Sequence, residues 1–279
     1  MNRLPLAKRV QILGILTEGG SLRAASRLAD CSINTVTKLL IDVGEAASIY
    51  MDRTMRDLPC KRLQCDEIWG FCYSKAKNVP AAMKGVFGYG DVWTWVALCA
   101  DTKIVPCFLV GPRDGVAAKE FIDDLANRLK HRVQLTTDQH RPYLQAVEDS
   151  FGQNIDYAVL IKHYSEIPGK TAEKRYSPGT CCGVSVGTVC GSPDLKKAST
   201  SYVERQNLTI RMGVRRLTRL TNGFSKKVEN HAHAMALHFL HYNFARIHKS
   251  LRVTPSMEAG ISDHVWSLEE IALLPDKFS

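Results

Sequence analysis

Apolar residues recur at helical spacing from the start of the chain: Leu6, Val10, Leu13 and Leu16, with Gly19-Gly20 closing the run. Ser21 stands where a second short helix, Leu22 to Ala29, needs an N-cap, and Ala24, Ala25 and Leu28 form its inward side. Asp30-Cys31 predicts a tight turn, after which Ser32 caps a third helix carrying Val36, Leu39 and Leu40. Three short helices joined in this way make a helix-turn-helix pattern over residues 1–58, whose last helix is the one that enters a DNA major groove. Its exposed N-terminal side offers Ser32, Asn34, Thr35 and Lys38, which are side chains able to reach base edges or phosphates.

After Pro59 the period shortens. Leu63 to Tyr73 is an aromatic-rich apolar run, Lys75 to Lys84 is a polar loop, and Val92 to Ala100 and Ile104 to Val110 are strand-like runs around Asp101-Thr102-Lys103. Asp114 to Lys130 has helical periodicity, Val133 to Thr137 reads as a strand, Pro142 to Phe151 as a helix and Tyr157 to Lys162 as a strand. The order β-β-β-α-β-α-β predicts an α/β fold in which a mixed sheet carries helices on both faces, the ribonuclease-H-like arrangement. Gly, Pro, Ser and Thr dominate 163–200, which is expected to be an irregular insertion. Helices resume at Ser201, and a second one is expected from Ser225 to about His248. The catalytic unit is thus placed at 59–262, with 263–279 as a C-terminal tail.

Three acids stand out by position. Asp66 lies inside the first apolar strand, where a charge is unfavourable unless paired or bound to a metal. Asp138 ends the fourth strand, the place where open sheets present functional residues. Glu204 begins the helix after the insertion. The first and fourth strands are parallel neighbours in this topology, so the two aspartates meet and the following helix delivers Glu204 beside them. Converging carboxylates repel each other, and a hard divalent cation with oxygen ligands resolves that repulsion. Glu67 should point to the opposite face and not serve as a ligand.

The net charge of +9 is concentrated: Lys196 to Arg252 holds twelve Lys/Arg against Glu204 and Glu229, which suggests a polyanion-binding face, the alternative being a solvated charged helix face. Arg205, Arg211, Arg215, Arg216, Arg219, Lys226 and Lys227 are its candidate DNA contacts, and Lys75, Lys77 and Lys84 are either further contacts or a solvated loop. His231, His238, His241 and His248 form one helical stripe and are read as packing residues. The nine cysteines lack any CxxC pair. A zinc site drawn from Cys60, Cys65, Cys181, Cys182 and Cys190 is therefore disfavoured, and reduced thiols are expected. No run is long and apolar enough for a membrane span and no signal peptide is visible, so a cytosolic location is expected.

The runs Gln64-Cys65-Asp66-Glu67-Ile68-Trp69, Thr136-Thr137-Asp138 and Tyr202-Val203-Glu204-Arg205-Gln206-Asn207 resemble those of DDE transposases of bacterial insertion sequences. The closest group is the insertion-sequence-one family, which Arg216 to Asn222 and Tyr242 to Lys249 also match. The resemblance covers about residues 60 to 260. It implies Asp66, Asp138 and Glu204 as catalytic metal ligands, with Mg²⁺ (or Mn²⁺) as cofactor and two ions present when DNA is bound. It further implies double-stranded DNA as partner, both terminal inverted repeats and target, a dimer or larger assembly on DNA, and a place on the bacterial nucleoid. Arg211, two turns after Glu204, falls where many such enzymes carry a phosphate-holding base. Two departures stand: Asp138 and Glu204 are 66 residues apart, longer than usual, and the cysteine-rich zinc motif of some relatives is missing. A nuclease that cuts without joining, and a DNA-binding regulator with an inactive catalytic domain, are the alternatives. A metal-independent hydrolase is not favoured, because the chain has no nucleophile elbow or phosphate-cradling glycine loop.

Overall fold

The computed structural model describes residues 4–164 and 181–278. Three helices open the chain: α1 (Leu6–Thr17), α2 (Leu22–Leu28) and α3 (Ile33–Thr54). Ser21 and Ser32 cap the second and third, accepting from Ala24 N at 3.0 Å and Thr35 N at 3.1 Å. The turn between them places Asp30 at φ 44°, in the left-handed region. The third helix is not short, as its pattern suggested, but 22 residues long. Its first turn is exposed, whereas Val36, Leu40, Val43, Ala47 and Met51 are buried. A Cβ on Gly44 would stand 2.6 Å from His233 Cβ and 2.7 Å from its Cα, so this helix can approach the C-terminal helices closely only with glycine there.

Six strands form one sheet: β1 (Arg62–Cys72), β2 (Gly90–Cys99), β3 (Phe108–Gly111), β4 (Gln134–Thr137), β5 (Asp156–Tyr164) and β6 (Cys181–Cys190), in the order β3-β2-β1-β4-β5-β6. The first three make an antiparallel meander, while β1–β4 and β4–β5 are parallel. This is the ribonuclease-H-like mixed sheet. β6 corrects part of the expected irregular insertion: it pairs antiparallel with β5 and is exposed along most of its length. An edge strand solvated on both faces has no need of apolar alternation, so its sequence carries little strand signal. The rest of that insertion, 165–180, lies outside the described residues.

Helices cover both faces. Trp95 of β2 packs against Phe121 of α4 (Gly115–Ala126) and Tyr143 of α5 (Pro142–Phe151). On the other face, Gln64 Oε1 of β1 accepts hydrogen bonds from Tyr202 N and Val203 N, at 2.9 and 3.0 Å, at the start of α6 (Ser201–Gly213). That glutamine satisfies two of the amide donors a helix N-terminus leaves unpaired, and so fixes α6 on the sheet.

α7 (Val228–Leu240) packs on α3 and ends earlier than its pattern suggested, in a π-helical turn at His241–Ala245. His231 and His238 are buried there, as packing histidines should be, and burial lowers both to about 3. Short helices α8 (Pro255–Glu258) and α9 (Leu268–Leu273) complete the chain, and Arg9 Nη1 donates to Ala272 O at 2.8 Å. Ile271, Ala272 and Leu274 join the same core as the N-terminal helices and the sheet. No helix among the described residues is long and apolar enough to cross a membrane.

Asn243, fully buried in the π-helical turn, donates to Val105 O and accepts from Val105 N, both at 3.0 Å. Asn243→Leu strands both backbone groups in the interior, and urea denaturation should show a loss of about 2–6 kcal/mol at roughly 1–3 kcal/mol for each unpaired group. A loss under about 0.5 kcal/mol would mean that these bonds are not what secures the 104–107 segment.

Candidate functional site

The parallel register of β1 on β4 runs from Arg62↔Gln134 to Cys65↔Thr137. Asp66 and Asp138 are the next residue on each strand, so they emerge side by side where β4 stops. Their carboxylate oxygens and that of Glu67 all lie within 4.8 Å of one another, the one such metal-competent group among the described residues. Glu67 was expected to lie away from the site. Its side chain does sit on the α5 face, where Arg113 Nε donates to its Oε2 at 3.0 Å, while Asp66 Oδ2 takes a bond from Asn207 Nδ2 of α6 at 2.8 Å. The carboxylates still converge because Asp138, just past the end of its strand, is reached from both faces.

Glu204, one turn before Asn207 on α6, is outside that 4.8 Å group. It forms an ion pair with Lys162 of β5 and accepts from the buried Thr200 hydroxyl. Its charge acts on Asp66 nonetheless, together with that of Asp138. Burial is the larger cause, and the combined effect pushes the Asp66 carboxyl up to about 6. Burial likewise pushes Glu67 up to about 7, with Asp138 and Asp66 adding to it. Glu67 Oε1 and the Tyr143 hydroxyl beside it make no hydrogen bond of good geometry among the described residues, and neither does Asn207 Oδ1.

Four carboxylates (Asp66, Glu67, Asp138 and Glu204) face two cations, Arg113 and Lys162; Arg113 Nη2 is also 4.0 Å from Asp138 Oδ2. The donors are all oxygens and, among the described residues, these ion pairs leave two of the four carboxylates without a cation of their own, which suits a hard divalent ion such as Mg²⁺ or Mn²⁺. Of the cysteines considered for a thiolate site, Cys60 and Cys65 are buried while Cys181 and Cys182 are exposed.

The basic residues divide. Arg205, Arg215, Arg219, Lys226 and Lys227 are exposed. Arg211 and Arg216 are less exposed and bond within the chain. Arg211 is half-buried and donates to Leu217 O at 3.0 Å and Trp69 O at 3.3 Å, tying α6 to β1. Arg216 reaches Ser225 Oγ at 3.3 Å, and burial lowers both arginines to about 10. Ser32, Asn34 and Lys38 are exposed at the start of α3, with Thr35 half-buried beside them. Lys38 is paired with Asp42 at 2.9 Å, and such an exposed pair on one helix is worth only tenths of a kcal/mol and leaves the lysine available to a phosphate.

Sequence reasoning missed Glu67, Arg113, Lys162 and Asn207. Asn207 sits in the quoted run 202–207, and its spacing of three from Glu204 signals a shared helix face. Arg113 and Lys162 carried no local signal, because their roles depend on which strands are neighbours.

No family model matches the chain, and no curated protein sequence does. Among solved structures, it is similar to a Mos1 strand transfer complex (13% identity, TM-score 0.25, 56% of this chain and 59% of that one). It is also similar to a piggyBac transposase synaptic complex with hairpin DNA (12% identity, TM-score 0.34, 78% and 52%). A pre-cleavage Mos1 transpososome gives 10% identity and TM-score 0.24 over 56% and 60%. The chain thus spans 52 to 60% of the length of these proteins. Likeness this remote carries no functional argument, and the assignment below rests on topology and on the site.

The raised carboxyls set the pH dependence. Asp66 at about 6 and Glu67 at about 7 exceed their ordinary values of 3.8 and 4.5, so between these limits the native state holds more protons than the unfolded chain. Stability of the metal-free protein therefore falls as pH rises from about 4 to about 7 and levels off above. A divalent cation binds only the deprotonated groups, so Mn²⁺ should raise the melting temperature more at pH 8 than at pH 5.5, and Asp138→Asn should remove most of that gain. Equal gains at both pH values, or a gain that survives the substitution, would place the ion elsewhere.

Proposed function

We propose that the chain is a DDE-type transposase, of the kind its motifs resemble in the insertion-sequence-one family, with Asp66, Asp138 and Glu204 as its metal-binding triad. The observation that carries this reading is the placement of Asp66 and Asp138 directly after the last paired residues, Cys65 and Thr137, of parallel neighbours, with Glu204 of α6 near enough to act on Asp66. Glu67 adds a fourth carboxylate from the α5 face. Four oxygen-donor groups suffice for two Mg²⁺, or Mn²⁺ in their place. Such ions supply charge stabilisation to the attacking and leaving oxygens of an in-line displacement at phosphorus.

The chain's own residues do the rest. Gln64 and Asn207 hold α6 against β1, so Glu204 is positioned by the sheet rather than by a loop. Arg113 and Lys162 balance part of the charge beside the carboxylates, and in this reading they also attract the scissile phosphate. Exposed Arg205, Arg215, Arg219, Lys226 and Lys227 take flanking phosphates, and the start of α3, with Ser32, Asn34, Thr35 and Lys38, reads the ends of the element. Water is the first nucleophile and a freed DNA 3′-hydroxyl the second. Two ends must be held together, so the active form on double-stranded DNA is at least a dimer.

Labelled duplexes carrying the element's inverted repeats test this directly. With Mg²⁺ the wild-type chain should nick at the repeat ends and yield joined products, and EDTA or Asp138→Ala should abolish both. Nicking without joined product would reduce the activity to a nuclease of the same fold. Tight binding with no nicking in Mg²⁺ or Mn²⁺ would leave a DNA-binding regulator.

A further inference from the structure

The connection between β1 and β2, residues 73–89, is not used by the chemistry above, yet it exposes large apolar side chains. Tyr73 is 43% exposed, Val86 51%, Phe87 47% and Tyr89 37%. The segment is nevertheless anchored. Tyr73 N donates to Ser225 O at 2.8 Å, and Gly88, at φ 94°, is buried with its Cα hydrogens facing Val228. Tyr73 and Tyr89 meet edge to face at 5.1 Å, so their rings are fixed relative to one another. Tyr73 also adopts φ 65°, a left-handed conformation that disfavours a bulky residue by roughly 1–2 kcal/mol. An aromatic ring held out in solvent at a strained position is opposed by both hydration and backbone sterics, so folding alone gives no reason for it.

The charge around these rings names a partner. Lys75, Lys77 and Lys84 are exposed on the same connection, and Lys226 and Lys227 are exposed on the strand-like segment bridged to it through Cys72↔Ser225. Asp91 and Glu229 are the exposed acids nearby in sequence, so five cations face two anions. Accessible ring faces framed by lysines suit a nucleic-acid strand with unpaired bases: the rings stack on the bases and the ammonium groups take the phosphates. A fully paired duplex offers its phosphates but not its base faces. A protein partner would gain nothing from the lysines unless it were itself strongly acidic.

We propose that the 73–89 connection is a stacking platform for unpaired DNA bases, formed by Tyr73, Phe87 and Tyr89 with Lys75, Lys77 and Lys84. β1 makes six residue-to-residue steps from Asp66 to Cys72, so the platform stands about 20 Å from the carboxylates, roughly six base-pair rises along a duplex. It therefore holds a strand opened or left single beyond the point of cleavage. This placement rests on the DNA-cleaving function proposed above, whereas base stacking itself does not.

The test uses the full chain with Asp138→Asn in EDTA, so that binding is read without cleavage. Fluorescence anisotropy compares a blunt duplex with the same duplex carrying an unpaired thymidine tail, and 2-aminopurine in the tail reports stacking. The tailed DNA should bind at least about tenfold more tightly and quench the probe, since stacking is worth about 1–3 kcal/mol per base. Phe87→Ser, and separately Tyr73→Ser with Tyr89→Ser, should remove that preference while changing blunt-duplex affinity less than about twofold. Lys75→Gln with Lys77→Gln and Lys84→Gln should weaken both DNAs and flatten their salt dependence. Phe87 is exposed and at an ordinary φ, so its variant keeps the test valid if the tyrosine pair proves structural. Equal affinity for the two DNAs, or equal weakening of both by Phe87→Ser, would overturn the platform. So would a change in oligomer mass with DNA affinity unaltered, which would assign the face to a second copy of the chain. A tail preference in a protein that never nicks DNA would retain the platform and reject the catalytic proposal.

Discussion

The parallel pairing of β1 with β4 is the constraint on which everything else in the site depends. Neighbouring strands lie about 4.8 Å apart, so the residues following Cys65 and Thr137 have no freedom to separate. Those residues are Asp66 and Asp138. A slip of one residue would turn each aspartate to the other face of the sheet, and four paired positions between buried strands prevent it. The fold thus forces two carboxylates together and must then manage their repulsion.

It does so incompletely. Arg113, itself lying over the Trp93 ring at 4.6 Å, takes one oxygen of Glu67, and Lys162 takes one of Glu204. Burial raises the carboxyls of Asp66 and Glu67, and the neighbouring carboxylates that remain unbalanced raise them further. Natural surfaces seldom retain such an arrangement without a use, because each buried charge left unpaired lowers stability. The same site is stiff: Gln64, Asn207 and Arg211 bond α6 to β1 at three heights, which keeps the spacing between Glu204 and the aspartates set by secondary structure.

How much of this could be read from the chain depended on range. The alternation through Leu63 to Cys72 and the periodicity of 115–126 and 142–151 give the ribonuclease-H-like order, because buried strands and amphipathic helices write their surroundings into local sequence. Asp66 and Asp138 were legible for the same reason, each being an acid where an apolar or strand-end residue is the norm. β6 was not, since CCGVSVGTVC is solvated on both faces and obeys no alternation. The length of α3 was hidden by its small residues, Gly44, Ala46 and Ala47, which are chosen for close contact with α7 rather than for hydrophobicity. Glu67 lies on the face that strand alternation gives it, yet it joins the carboxylate group because Asp138, past the end of its strand, is accessible from both sides. Arg211 and Arg216 stand in a basic run, and only the tertiary structure reveals the carbonyl and hydroxyl oxygens to which they also bond.

The central claim is that the paired aspartates form a metal centre, and locating the ion tests it most directly. Crystals grown with Mn²⁺ and measured for anomalous scattering should show a peak bound by oxygens of both Asp66 and Asp138, at about 2.0–2.3 Å, with Glu204 or Glu67 completing the set. Anomalous density only at other residues, or none in a well-ordered crystal at millimolar Mn²⁺ and pH 8, would contradict it.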